Sequence, residues 1–224
     1  MPPNVSLIVP VLADDDALEH LLGQIPADSG ADVVVVDGGA SRRTADAVAR
    51  CRRARLIHAP KGRARQMNAG AAAASGEWLL FLHADSRLPP AWEPILEQCT
   101  RGAVGGWFRF ALDDSAWQAR WIERGVALRV RLFRLPYGDQ GIFVRRSIFE
   151  AIGGYRDIPL MEDVEFVRRL AAAGPVVELP MAVATSSRRW RQNGWIRRSA
   201  RNLVLVSLYF AGVAPTRLAR WYSG

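Results

Sequence analysis

Hydrophobic runs alternate with amphipathic segments along the first part of the chain. Mostly apolar stretches of strand length occur at residues 5–10, 33–37, 55–59 and 78–82. The segments between them are predicted as helices over residues 14–25, 41–53 and 62–75. The β-branched run VVVVD is typical of a parallel strand covered on both faces. The alternation predicts an α/β fold with a doubly wound, mostly parallel sheet and helices on both faces.

The pattern changes after Pro89 and Pro90. The later elements are predicted as a helix near 92–100, an alternating strand at 103–112, an aromatic and arginine-rich helix at 117–133, the loop LPYGDQG, a strand at 142–144 and a helix from about 162. No repeat or low-complexity linker divides the chain. We therefore predict a single domain over residues 1–224, with a nucleotide-binding half at 1–89. The half at 90–224, which ends in a basic helical segment, would receive a second substrate.

Charge narrows the choice of partner. The formal net charge is +8, and Lys61 is the only lysine, so arginine supplies nearly all of the positive charge. The guanidinium group matches phosphate geometry, so nucleotide phosphates, nucleic acid or anionic lipid would be suitable partners. Solvated arginine faces are the alternative explanation. Because no recognition motif accompanies the arginines, we expect no nucleic-acid partner.

Cysteine usage and the C-terminal segment bear on location. Cys51 and Cys99 are isolated, and the opening residues lack a signal-peptide pattern, so a cytoplasmic protein is expected. The apolar run at 203–215 is shorter than the roughly 20 residues of a membrane span. Its flanks mix Arg and Trp, which fits peripheral contact with the anionic inner membrane surface. A core helix with a basic outer face is the interpretation we favour.

Polar residues follow all four predicted strands of the first half. Ligands in open parallel sheets bind beyond the carboxyl ends of the strands, so these positions predict one site. The segments begin at Pro10, Asp37, Lys61 and His83. Asp37 would accept hydrogen bonds from a base or ribose, or would serve as a turn residue before two glycines.

Arginines stand where the third predicted helix begins. Arg63 and Arg65 are unfavourable at a helix start unless an anion lies nearby, so they predict a phosphate site. The small residues at 69–72 would let this helix lie close to the sheet. The chain has no Walker or Gly-x-Gly-x-x-Gly pattern, which argues against an ATPase and a dinucleotide dehydrogenase.

Two further positions carry acids that could take part in catalysis, at Asp85 and at Asp163. In an extended backbone His83 and Asp85 point to the same side, so both would reach a divalent cation, Mn²⁺ or Mg²⁺, that bridges a diphosphate. In a helix that begins near residue 161, Asp163 shares the apolar stripe of residues 166, 167 and 170. A buried acid with a raised pKa suits a general base, although Asp163 would also serve as a helix cap.

The motifs SLIVPVLAD, VVVVDGGASRRTAD, GRARQMNAGAAAASGEWLLFLHADSRLP and MEDVEFVRRL occur in this order along nearly the whole chain. The ordered set resembles the family-2 glycosyltransferases of GT-A fold. The segments ARQMNAGA, LHADS and GDQGIFVRR resemble those of a small, soluble bacterial subgroup of the family with no assigned substrate. The resemblance implies transfer of a sugar, with inversion, from a UDP- or GDP-linked donor to a hydroxyl acceptor, assisted by Mn²⁺ or Mg²⁺.

The resemblance also implies residue roles. Asp163 would be the catalytic base, Asp85 the metal-binding acid of a DXD-type motif, and Asp37 the contact to the base. The donor set comprises Pro10, Asp37, Arg63, Arg65, Asn68, His83, Asp85 and Arg189. The acceptor set comprises Asp139, Glu162 and Trp190.

The chain departs from the family pattern at two positions. His83 replaces the first Asp of the metal motif, which leaves its role open between ligand and spacer. Ser186 replaces the Gln that precedes the Arg-Trp pair of processive members, and no membrane-spanning segment is seen, which argues against polymer synthesis. Two alternative functions stay open. One is a sugar-1-phosphate nucleotidyltransferase, although that class has a Gly-rich basic loop after the first strand, where this chain has the acidic PVLADDD. The other is a catalytically degenerate nucleotide- or membrane-binding module of the same fold.

Overall fold

The computed structural model describes residues 4–26 and 29–223. The strands are β1 (Val5–Val11), β2 (Asp32–Asp37), β3 (Ala54–His58), β4 (Trp78–Phe81), β5 (Ser86–Arg87), β6 (Gly105–Leu112), β7 (Ile142–Arg145) and β8 (Val176–Thr185). The helices are α1 (Asp15–Gly23), α2 (Arg42–Arg50), α3 (Arg63–Ala73), α4 (Trp92–Cys99), α5 (Trp117–Phe133), α6 (Arg146–Ala151), α7 (Glu162–Ala173), α8 (Arg188–Asn193), α9 (Trp195–Phe210) and α10 (Pro215–Ser223). A short 3₁₀ helix covers Gly138–Gln140.

One sheet of eight strands runs through both halves of the described chain, in the order β3-β2-β1-β4-β7-β6-β8-β5. The pairs β1–β2, β1–β4, β2–β3 and β6–β8 are parallel. The pairs β4–β7, β5–β8 and β6–β7 are antiparallel, so within this sheet β5 and β7 run against the other strands. The predicted doubly wound, mostly parallel α/β sheet is confirmed.

Both faces of the central strands are buried. Leu7 and Val9 of β1 pack on one face with Leu18 of α1. Ile8 packs on the other face, in a cluster that includes Phe166 of α7. Coverage on both faces explains why the first strands read as continuous apolar runs.

Helix α3 lies in direct contact with the sheet, as its small residues predict. A Cβ at Gly70 would overlap the Cγ2 atom of Ile8 and lie 2.9 Å from Cγ2 of Val36. The buried Gln66 side chain donates to the carbonyls of Val11 (2.7 Å) and Val36 (2.8 Å), at the ends of β1 and β2. These contacts fix the first turn of α3, and with it Arg63, at the carboxyl edge of the sheet.

The structure contains two strands that the hydrophobic pattern did not predict, β5 and β8. Strand β8 contains Pro180, and its pairing with β6 shifts there, since Leu179 pairs with Phe108 and Ala182 with Arg109. A proline has no N–H to donate to the ladder, so it lies at the irregularity and obscures the strand in the sequence. Strand β8 ends at Thr185, beside the loop that carries Asp139.

The C-terminal helices are partly core and partly surface. Leu205 and Leu218 are buried in a cluster with Leu160, whereas Leu203 and Val204 are exposed. The core helix favoured from the sequence therefore matches only one side of α9, and the other side is exposed. None of the helices in the described ranges is both long enough and apolar enough to cross a membrane.

Candidate active site

A cavity of about 120 Å³ opens at the carboxyl end of β4. It lies between the turn after β4, the 3₁₀ segment, the first turn of α7 and the C-terminal helices. Its lining residues are Arg63, His83, Asp85, Tyr137, Gly138, Asp139, Leu160, Met161, Asp163, Thr185, Ser186, Arg189, Trp190, Arg198, Asn202, Leu205 and Tyr222. The structure thus brings together seven of the predicted site residues, and an eighth, Glu162, pairs with Arg63.

The backbone after β4 forms a turn rather than the extended segment that the sequence argument assumed. The Ser86 N–H donates to the carbonyl of His83 over 3.1 Å, and the Ser186 N–H donates to the carbonyl of Asp85 over 2.9 Å. The turn holds Asp85 at the cavity. Within the described residues, the Asp85 carboxylate forms no hydrogen bond or salt bridge, and its charge acts at longer range on Arg188 and Asp139. Its oxygens are therefore available to a ligand.

The 3₁₀ segment is anchored from beneath by a buried glutamine. Gln140 donates from Nε2 to the Phe108 carbonyl (3.1 Å) and accepts at Oε1 from the Tyr137 N–H (3.3 Å). The Gly138 N–H then donates to Oδ2 of Asp163 over 2.7 Å. A Cβ at Gly138 would lie 2.9 Å from Nε2 of His83, so any other residue here would require the His83 side chain to shift.

The burial expected of Asp163 is found at its neighbour instead. Glu162 is 1 % exposed, whereas Asp163 is partly exposed and lines the cavity. Oδ1 of Asp163 accepts the Val164 N–H over 2.8 Å, in the first turn of α7. Asp163 therefore faces the cavity with one carboxylate that also joins α7 to the 3₁₀ segment. Met161, the residue before Glu162, has φ 66°, a strained conformation for a residue with a side chain.

Glu162 forms an ion pair at the bottom of the site. Its Oε1 lies 2.7 Å from Nε of Arg63, and its Oε2 is buried with no hydrogen-bonding partner in the described chain. Burial raises the pKa of Glu162; the Arg63 charge lowers it, and Asp163 adds to the rise. Arg63 is thus held at the cavity from α3 by a carboxylate of α7.

Asp139 and His83 both have pKa values shifted by their surroundings. Burial raises the pKa of Asp139 to about 6; Arg129 opposes the rise, and the carboxylates of Asp163 and Asp85 add to it. Its Oδ1 is buried without a hydrogen-bonding partner among the described residues. Burial, with a contribution from Arg63, lowers the pKa of His83 to about 3, so the imidazole is neutral at pH 7.

The contribution of the C-terminal helices to the cavity was not predicted from the sequence. Arg198, Asn202 and Leu205 of α9 line the cavity together with Tyr222 of α10. The Arg198 guanidinium carbon lies 4.7 Å from the centre of the Trp190 ring. The spacing of the three α9 residues, i, i+4 and i+7, marks one face of a helix and was the available signal. It did not indicate which face meets the site.

Four predicted donor residues lie outside the cavity lining. Pro10 pairs with Val36 within β1 and β2, and Arg65 forms a 2.8 Å ion pair with Asp157. Asn68 exchanges two hydrogen bonds with the Tyr155 backbone, at 2.7 and 2.8 Å.

Asp37 completes this group. It is buried at the end of β2, where its carboxylate accepts the N–H groups of Gly39 and Ser41, each over 2.7 Å. This is the turn arrangement that the sequence left open as an alternative. The predicted donor roles of the four residues stay predictions.

Comparison with known proteins identifies the family. Residues 6–155 match the model described as glycosyl transferase family 2. The chain belongs to this family. No curated protein matches the sequence of this glycosyltransferase.

Solved glycosyltransferases share the fold. The mannosyltransferase PcManGT from Pyrobaculum calidifontis, in complex with GDP-Man and Mn²⁺, is similar with a TM-score of 0.66 and 21 % identity over 96 % of this chain and 67 % of that one. S. aureus TarS 1-349, in complex with UDP-GlcNAc, is similar with a TM-score of 0.62 and 15 % identity over 82 % of this chain and 58 % of that one. The expected GT-A fold is thereby confirmed.

The donor atoms at the turn after β4 fit a cation whose coordination shell is completed by substrate oxygens. In the described ranges, no group of three or more His, Cys, Asp or Glu side chains is arranged as a metal site. Mg²⁺ is commonly held by one or two carboxylates plus substrate phosphates rather than by an all-protein cage. The unpaired Asp85 carboxylate on the cavity meets that requirement, with the neutral imidazole of His83 beside it.

We predict that Asp139→Asn stabilises the glycosyltransferase at pH 8 and does so much less at pH 5. Because the pKa of Asp139 is higher in the folded state (about 6) than its ordinary value of 3.8, the wild type loses stability as pH rises from about 4 through 6. Asparagine removes this loss, so its gain in the free energy of unfolding should be larger at pH 8 than at pH 5 by about 1–2 kcal/mol.

Urea unfolding at the two pH values measures the difference. Asp46→Asn, on the exposed face of α2, is the matched control and should show no gain. An equal effect of Asp139→Asn at both pH values would contradict the assignment.

Proposed function

We propose that this family-2 glycosyltransferase moves a sugar from a UDP- or GDP-linked donor to a hydroxyl acceptor, with inversion at the anomeric carbon and with Mn²⁺ or Mg²⁺ bound. One observation carries the proposal: Asp163 and the unpaired Asp85 face the same small cavity at the carboxyl end of the sheet. A base and a diphosphate-binding acid that line one cavity match a single displacement. A cytoplasmic location, expected from the isolated cysteines, belongs to the same proposal.

Asp163 is the proposed base. Its two backbone hydrogen bonds, from Gly138 and Val164, fix the orientation of the carboxylate before any substrate arrives. Each carboxylate oxygen has a second lone pair, and the partial exposure of Asp163 leaves these accessible from the cavity. In the proposed step Asp163 takes the proton as the acceptor oxygen attacks the anomeric carbon. A fixed base spends little free energy on reorganisation during the reaction.

The departing diphosphate is assigned to the part of the cavity that Asp85 lines. Asp85 would hold the divalent cation, which supplies positive charge to the leaving oxygen when it is bound. Arg63 and Arg189 line the same cavity and present guanidinium groups suited to phosphate oxygens. Arg63 is already positioned by Glu162, so its charge is in place before the donor binds.

The acceptor is assigned to the side formed by Asp139 and Trp190. Asp139 has a buried oxygen with no protein partner in the described residues, an acceptor suited to a substrate hydroxyl. The Trp190 ring, held by Arg198, forms an apolar wall beside it. Glu162 is assigned to the acceptor, and Asp37 to the nucleotide base, on the family resemblance.

We predict that Asp85→Asn abolishes the effect of Mn²⁺ on donor binding. The melting temperature would be measured with UDP, GDP and their sugars, in Mn²⁺ and in a chelator. In the wild type, Mn²⁺ should increase the shift caused by one nucleotide class. His83→Gln should keep the increase, because His83 Nε2 is turned toward Gly138. Loss of the increase in His83→Gln with retention in Asp85→Asn would contradict the assignment of the cation to Asp85.

We predict that Asp163→Asn lowers kcat by about 10²–10⁴-fold, the usual contribution of a general base. The amide oxygen can still accept the Gly138 N–H, and the Val164 N–H then loses its partner. The contact that joins the 3₁₀ segment to α7 is thereby kept, and donor binding should be unchanged. Steady-state turnover and the donor-induced thermal shift measure the two quantities, with Asp46→Asn as the control. Normal turnover by Asp163→Asn, or loss of donor binding together with turnover, would contradict the role of base.

A further inference from the structure

Helix α5 exposes an apolar stripe that the protein does not cover. Trp117, Trp121, Leu128 and Leu132 are 67, 64, 56 and 62 % exposed. With Gly125 they follow the spacing i, i+4, i+8, i+11 and i+15, which places all five on one side of the helix. The opposite side of α5 is the buried one and includes Ala119 and Val130. Such a continuous exposed stripe marks an interaction surface.

Helix α9 presents a second stripe of the same kind. Ile196 is 84 % exposed, Leu203 63 % and Val204 55 %. Ala200 lies between them and is exposed as well. The spacing i, i+4, i+7 and i+8 again places these residues on one face, opposite the buried Leu205.

The two helices enclose a groove of about 900 Å³. Phe110, Ile122, Val126 and Trp195 line its inner part, and the α5 stripe together with Ile196, Ala200 and Leu203 of the α9 stripe lines its rim. The groove borders the candidate active site, because Tyr137, Asp139, Trp190 and Asn202 line both. A mostly apolar groove thus extends from the protein surface to the residues assigned to the acceptor hydroxyl.

The charges around the groove are almost all positive. Asp139, at the inner end, is the only acid among the described residues that line it. Arg124, Arg131 and Arg197 are exposed on the two helices, and in the described ranges no carboxylate pairs with them. Apolar side chains flanked by arginine are typical of a helix that lies on an anionic membrane surface. A second copy would bring like charges together across a shared axis, which disfavours self-association.

We propose that the acceptor is a membrane lipid whose hydrocarbon chain lies in the groove between α5 and α9, with its hydroxyl end at Asp139, while the exposed stripes rest on an anionic bilayer. The inference rests on the proposed function and names its acceptor class. In the step itself the bond from the anomeric carbon to the diphosphate oxygen breaks, and a bond to the lipid oxygen forms. The lipid hydroxyl proton passes to Asp163, and the nucleotide diphosphate leaves with the bonding electrons.

The first test is co-sedimentation with vesicles of phosphatidylcholine, with and without about a third of phosphatidylglycerol. The wild type should bind the anionic vesicles, and added salt should weaken the binding. Leu128→Glu and Leu132→Glu, both at exposed positions, should each weaken it at least tenfold. Gln98→Glu, an equal change of charge on the exposed face of α4, should leave it unchanged. Absence of vesicle binding by the wild type overturns the proposal.

The second test asks whether a lipid chain enters the groove. Vesicles would carry lipids brominated along the chain, which quench nearby tryptophan fluorescence. In the triple variant Trp117→Phe, Trp121→Phe and Trp221→Phe, the exposed tryptophans of the described residues are removed, and Trp190 and Trp195 remain in the groove. Quenching that persists supports the proposal, and loss of all quenching overturns the placement of the chain.

Two controls separate this inference from the proposed function. Donor-induced thermal shifts should be the same in the wild type and in Leu128→Glu. If the donor shifts the melting temperature but vesicles do not bind, the lipid proposal fails and the proposed function stands. If vesicles bind and no donor does, the proposed function fails. A wild-type dimer that Leu128→Glu dissociates, with no vesicle binding, would make the groove a self-interface and overturn the proposal.

Discussion

The hydrogen bond from the Gly138 N–H to the Asp163 carboxylate joins two segments that are 25 residues apart. It links the 3₁₀ segment, which Gln140 anchors on β6, to the first turn of α7, which packs on the sheet through Phe166. The turn after β4 then fits against Gly138 through His83. The proposed base, the loop proposed to bind the acceptor and the turn proposed to bind the metal thus share one contact, and the geometry of the site depends on it.

Charge balance is the second constraint on the site. Three carboxylates, Asp85, Asp139 and Asp163, line a cavity of about 120 Å³ and raise the free energy of the empty protein by mutual repulsion. Arg63, Arg189 and Arg198 line the same cavity and offset part of this cost. A cation and a diphosphate would complete the balance in the proposed reaction. The left-handed Met161 adds backbone strain at the same place.

Much of the structure of residues 1–89 could be predicted from the sequence. Parallel strands buried on both faces give long apolar runs, and their carboxyl ends meet at one edge of the sheet. The other half depended on contacts between distant segments. Asp163 was expected to be buried, but α7 begins after the left-handed Met161, and this turns Glu162 inward instead. The covering of the site by α9 could not be predicted, because an amphipathic helix with two apolar sides does not indicate which side meets the protein.

The central claim is that Asp163 and Asp85, which line one cavity, act together in inverting sugar transfer. Proton NMR of the sugar released by slow donor hydrolysis, with Mn²⁺ and without acceptor, tests it most directly. For an α-linked UDP- or GDP-sugar, water would take the acceptor's place, and the account predicts that the β-anomer forms first. First release of the α-anomer, or no release from any UDP- or GDP-sugar with either cation, would contradict it.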